Sequence, residues 1–135
     1  MAYKIDKIEG IGPTYAEKLT QAGITTTSSL LSECATPAGR KTVATKTGLK
    51  AAQILKWTNM ADLMRISGVG EEYSELLEAA GVDTIKELRN RNPANLTTQM
   101  KQVNAQKKLV RQPPSLTQVT KWVAHAKELA PSISY

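Results

Sequence analysis

Apolar residues in this chain fall in short runs at the three- and four-residue spacing of a helix face. Ile5 and Ile8 share one side of a first short helix over residues 3–8. Tyr15, Ala16 and Leu19 mark a second helix from about Pro13 to Ala22, which Gly23 stops as a left-handed cap. Thr26 or Thr27 caps a third, carrying Leu30 and Leu31. Thr36-Pro37 reads as an N-cap with a first-turn proline, opening a fourth helix that ends near Gly48. A fifth runs from about Leu49 through Trp57, with Ile54 and Leu55 facing inward. Asn59 caps a restart whose apolar stripe is Met60, Leu63, Met64 and Ile66. The pattern predicts an all-α fold.

One stretch organises the rest: Ile8-Glu9-Gly10-Ile11-Gly12-Pro13-Thr14-Tyr15-Ala16-Glu17-Lys18-Leu19. Two glycines bracket an apolar residue, and Pro13 fits the first helical position. The stretch returns at an offset of 58. Ile8, Gly10, Gly12, Tyr15 and Leu19 meet Ile66, Gly68, Gly70, Tyr73 and Leu77, and Ala22, Gly23, Thr26 and Leu30 meet Ala80, Gly81, Thr84 and Leu88. Each pair is identical, which chance explains poorly. Asn92-Pro93 repeats the capped start of Thr36-Pro37, and Gln118 to Trp122 resembles Gln53 to Trp57 at an offset of 65. The second copy therefore carries an insertion of 7 residues, placed near 104–115. Pro113-Pro114 forbids helix there, and Ser115 can cap the last one. The organisation predicted is a first unit over 1–58, a second over 59–131 and a tail over 132–135, the units packed into one body by a pseudo-twofold.

At 135 residues the chain suits one domain or two very small units sharing a core. It contains no Phe, and an interior of Leu, Ile, Val, Ala and Met again favours helices. The net charge of +6 admits nucleic acid or an acidic surface as partner. Its distribution is uneven: residues 1–58 carry +4, residues 59–105 carry −2 and residues 106–135 carry +4. Cys34 is the only cysteine, which excludes an intramolecular disulfide and fits a reducing compartment. The start, Met1-Ala2-Tyr3-Lys4, leads into no apolar signal core, and no run approaches the roughly 20 apolar residues of a membrane span. A soluble, cytoplasmic chain is expected.

Backbone amides near Gly10, Gly12 and Thr14 should open outward at a helix N-terminus, a natural seat for phosphate. The Thr14 hydroxyl can add a bond, and Lys18 lies one turn on. In the second copy, Glu71 and Glu72 stand at the helix start and compete for the amides, while Glu75 and Glu78 extend a negative face. That face suits a basic protein partner. Lys107, Lys108 and Arg111 form the densest basic cluster, beside Arg40, Lys41, Lys46 and Lys50 in the first unit. If the clusters share the first turn's face, they can track a phosphate backbone. Trp57 and Trp122, and Tyr15 and Tyr73, occupy equivalent places and read as repeated core residues. His125 has no companion ligands, Cys34 has no partner base, and no Walker loop or dinucleotide fingerprint is present. No metal, cofactor, small-molecule substrate or enzymatic activity is expected.

The pattern of Ile8 to Leu19, repeated without the proline over Ile66 to Leu77, resembles a helix-hairpin-helix motif. Over nearly its full length the chain looks like an uncharacterised bacterial family of tandem helix-hairpin-helix proteins, catalogued as a domain of unknown function. The wider superfamily includes DNA repair glycosylases, ligases and polymerase beta. The resemblance implies a SAM-like helical bundle and sequence-independent binding of duplex DNA through backbone amides. Thr14 departs from it, since many DNA-binding hairpins carry Lys or Arg there. Two expectations follow. One is a non-catalytic nucleic-acid-binding module using Gly10, Ile11, Gly12, Thr14, Lys18, Arg40, Lys41, Lys107, Lys108 and Arg111. The other is a protein-interaction or scaffold module using Glu71, Glu72 and Glu75.

Overall fold

The apolar run through Trp57 folds as a single helix, Ala51–Leu63, against which the first half of the chain packs. The computed structural model describes residues 3–135. Met1 and Ala2, the start of the stretch read as lacking a signal core, lie outside the described residues. A short 3-10 turn, Ile5–Lys7, precedes eight α-helices. They are α1 (Pro13–Gln21), α2 (Thr27–Cys34), α3 (Pro37–Thr47), α4 (Ala51–Leu63), α5 (Glu71–Ala79), α6 (Ile85–Leu88), α7 (Pro93–Lys107) and α8 (Leu116–Glu128). The described residues contain no strand, only an isolated bridge between Lys4 and Thr26.

The capping expectations are met at several ends. Thr26 accepts from the Ser29 N–H and caps α2, Thr36 caps α3, and Gly48 ends α3 at φ 75°. Ser115 and Gln118 form a reciprocal capping box on α8. Three expectations are corrected. The helix placed over residues 3–8 is only a 3-10 turn. Its backbone is spent elsewhere: Ile5 N–H donates to Thr25 O (3.0 Å) and Tyr3 O accepts from Thr27 N–H (2.9 Å). The restart at Asn59 does not occur, because Ile54, Trp57, Met60, Ala61 and Met64 form one unbroken buried face. The segment placed as a free tail is pinned. Ser134 N–H donates to Ala35 O (2.8 Å), and Tyr135 Oη donates to Asn59 Oδ1 (3.2 Å).

Buried side chains form two clusters. The first gathers Ile5, Ile8, Ile11, Leu19, Leu30, Ile54 and Trp57 with their neighbours, and the second gathers Leu63, Ile66, Val69, Leu76, Leu77, Val119 and Trp122 with theirs. Each fully buried Leu or Ile contributes roughly 1.5–3 kcal/mol. The last turn of α4 joins the clusters, with Met60 and Met64 in the first and Leu63 in the second. Asp62 tightens that joint. Its buried carboxylate accepts from Ile85 N–H (2.9 Å) at the start of α6 and from Arg65 Nη1 (2.9 Å).

The repeated residues share a geometry. Gly10 and Gly68 have φ of 92° and 90°, the left-handed region that glycine tolerates. Tyr15 packs on Trp57 with ring centroids 5.3 Å apart, and Tyr73 on Trp122 at 5.1 Å, both pairs tilted. A Cβ on Gly10 would lie 3.5 Å from Trp57 Nε1, and one on Gly68 would lie 3.3 Å from Trp122 Nε1.

Candidate nucleic-acid interface

The turn before α1 spends few of its donors. Ile11 N–H donates to Ile8 O (3.1 Å), and Gly12 O accepts from Ala16 N–H (2.9 Å). Gly12 is the N-cap and has no side-chain capping bond. Among the described residues, no protein acceptor takes the N–H of Gly10, Gly12, Thr14 or Tyr15. Gly10, Gly12 and Thr14 are exposed and Tyr15 is half-buried. The helix dipole adds roughly 0.3–1 kcal/mol of attraction for an anion there. Beneath the bend lies the indole of Trp57. The residue is 2% exposed, and its Nε1 faces the Cα of Gly10 closely enough that a Cβ there would lie 3.5 Å away. Ile11, in contrast, is 4% exposed and its amide is used, so it shapes the turn without presenting a donor.

Beside this turn runs a cleft of about 640 Å³. One wall is Tyr15 and Lys18 of α1. The other is the Gly48–Lys50 turn and the first residues of α4, with Gln53 and Lys56. Lys18, Lys50 and Lys56 are all exposed. The only ion pair on these lysines in the described residues is Lys56 with Glu78, at 4.0 Å and largely open to solvent. Such a pair holds a lysine weakly. The N-cap of α4 is Lys50, again without a side-chain capping bond. In the sequence Lys50 belongs only with the basic cluster of the first unit and Lys56 is not singled out, because nothing along the chain brings either beside Lys18.

Other expected residues lie elsewhere. Arg40 is buried, and its guanidinium donates to Cys34 O (3.0 Å), Ala35 O (3.2 Å) and Ser134 O (2.8 Å). It holds the C-terminal segment and is not available to a ligand. Lys41 shares a separate shallow cleft on α3 with Lys46. Lys107, Lys108 and Arg111 are exposed but belong to the second half. Asn104 braces their loop by bonding both polar groups of Val110, and Gln112 O accepts from Tyr73 Oη (3.2 Å). The insertion thus reaches the hydroxyl of Tyr73 in the second half, whereas Tyr15 lines an open cleft in the first.

The second turn keeps its amides free of Glu71 and Glu72, since α5 has no side-chain capping bond. The expected competition is therefore one of charge, not of direct occupation. Glu72 is exposed, whereas Glu71 and Glu75 are half-buried. Burial raises the Glu75 carboxyl above its ordinary range, and the charges of Glu9 and Glu78 push it further. Glu75 thus senses the first turn as well as its own helix. His125, the lone histidine, accepts at Nδ1 from Ser67 N–H (3.2 Å). Burial pushes the Cys34 thiol up to about 11, which makes it a poor nucleophile. No described helix is long and apolar enough to cross a membrane.

A family model described as a domain of unknown function (DUF4332) matches residues 9–129. No curated protein and no solved structure matches the chain.

Proposed function

The chain belongs to this family of unknown function, and from that premise we propose that it is a non-catalytic module binding nucleic acid without sequence preference. We read its halves as two helix-hairpin-helix units, a reading supported by the matched glycine bends and Tyr–Trp pairs. The first hairpin is the phosphate seat. Gly10, Gly12, Thr14 and Tyr15 offer main-chain donors, and Lys18 supplies charge one turn on. Duplex DNA is the preferred ligand, gripped by its backbone. The observation that carries this reading is the uncovered row of donors before α1, next to three exposed lysines. Function has to be argued from such a site, because fold alone does not deliver it.

The acidic docking surface is the weaker reading. Glu75 is half-buried and Glu78 pairs with Lys56, which leaves Glu72 as its exposed member. The test is titration of a labelled mixed-sequence duplex at low and moderate salt. Wild type should bind and weaken steeply with salt. Thr14→Glu copies the second hairpin's Glu72 at an exposed position and should weaken binding by about tenfold or more. Lys107→Glu with Lys108→Glu should have the smaller effect. Absence of binding at low salt ends the proposal.

A further inference from the structure

The chain's two corresponding helix starts are finished in different ways. Lys50 precedes α4, and Ser115 stands at the same place before α8, seven residues ahead of Trp57 and Trp122 respectively. At α8, Ser115 Oγ accepts from Gln118 N–H (3.2 Å) and Gln118 Oε1 accepts from Ser115 N–H (2.9 Å). The helix mouth is filled by its own side chains. At α4 no side chain caps the mouth, and Gln53, the counterpart of Gln118, lines the open cleft. The insertion that meets the Tyr73 hydroxyl has no equivalent beside Tyr15. Lys18 is replaced in the second half by Leu76, which is fully buried.

The cleft is continuous with the hairpin through Tyr15, whose ring lies on Trp57 beneath Gly10. From Lys50 to Lys56 the wall advances about 9 Å along the axis of α4, enough for more than one phosphate of a strand. Trp57 is buried beneath the bend and does not line the cleft, whose donors are the lysines and Gln53.

We propose that this cleft is a second phosphate seat, taking the continuation of the strand held at the hairpin, with Lys18, Lys50 and Lys56 as its charges. The proposal rests on the hairpin reading and extends it: the ligand is a polyphosphodiester strand, gripped by one half of the chain. A free mononucleotide is too short to fill both seats.

Fluorescence anisotropy with the full chain separates the two readings. The probes are a mixed-sequence single strand and the matching duplex, measured from low to moderate salt, with a mononucleotide as competitor. Lys18→Gln, Lys50→Gln and Lys56→Gln change exposed residues only. Together they should weaken strand binding about tenfold and lower the salt slope by about 2. Wild-type affinity and slope in that triple variant, with Thr14→Glu still defective, would overturn the cleft and leave the hairpin standing. Loss in the triple variant alone would remove the hairpin on which the proposal rests. Mononucleotide displacing the strand at comparable concentration would overturn the extended-strand claim.

Discussion

The two halves of this chain share a framework and differ in what they leave open. Both bend at a left-handed glycine over a tryptophan indole, and both pack a tyrosine on that ring. In the first half the cleft beside the tyrosine is open and lined by lysines. In the second half an inserted loop meets the tyrosine hydroxyl, and glutamates occupy the helix start. A repeat can thus preserve its core while only one copy keeps a surface suited to anions. The contrast is partly one of burial, since Leu76 and Val110 join the second half's core where the first half has the exposed Lys18 and no insertion.

The largest expected effect tests how the halves complete their short helices. The first uses its own Thr26 to cap α2, whereas Thr84 makes no side-chain cap on α6. Asp62, reaching over from α4, supplies that acceptor. Asp62→Ala leaves the buried Ile85 N–H without its acceptor and Arg65 without its carboxylate, with only Ala130 O and Ser132 Oγ still bonded to it, and should cost about 3 kcal/mol, read by urea denaturation. Thr26→Ala should cost about 1 kcal/mol. Equal costs at both sites would mean that the joint through Asp62 is not the second half's special requirement.

A smaller effect comes from the bends. Gly10→Ala and Gly68→Ala each force a Cβ onto a left-handed residue, costing about 1–2 kcal/mol. Gly68→Ala should be the worse, since its Cβ lies 3.3 Å from the indole nitrogen against 3.5 Å at Gly10. Denaturant midpoints measure the stability order. In the binding titration, Gly10→Ala should impair the complex and Gly68→Ala should leave it unchanged at temperatures where both are folded.

The smallest concerns Glu75, which burial and the carboxylates of Glu9 and Glu78 hold above its ordinary value of 4.5. A raised carboxyl stabilises the folded state below the unfolded value, and that contribution is lost as pH rises through the folded one. Glu75→Gln should therefore raise the melting temperature slightly near neutral pH and change it little below pH 4.5. A change of equal size at both pH values would mean that charge between the halves is not its cause.

Much of the fold is legible in the pattern of apolar positions and caps. Thr36-Pro37, Asn92-Pro93 and Ser115 begin helices where their chemistry places them. Asn59 misled because an N-cap residue can also sit on the outer side of a continuous helix, and only burial of Met60, Ala61 and Met64 decides between the two. The C-terminal segment misled because its anchors are carbonyls bound by Arg40 and Arg65, over long sequence separations. The same fact removed Arg40 from the candidate site. Charge counted along a sequence does not distinguish an arginine that braces carbonyls from a lysine that faces water. The cleft was hidden for a related reason. Lys18 and Lys50 become neighbours of one groove only when α1 lies beside the start of α4.

The most direct test is to follow backbone amide resonances while adding a mixed-sequence duplex to the full chain at low salt. Signals of Gly10, Gly12, Thr14 and Tyr15 should move first and furthest, while those of Gly68, Gly70, Glu72 and Tyr73 stay in place. Movement centred on the second set, or equal movement in both, would contradict the claim that only the N-terminal bend receives phosphate.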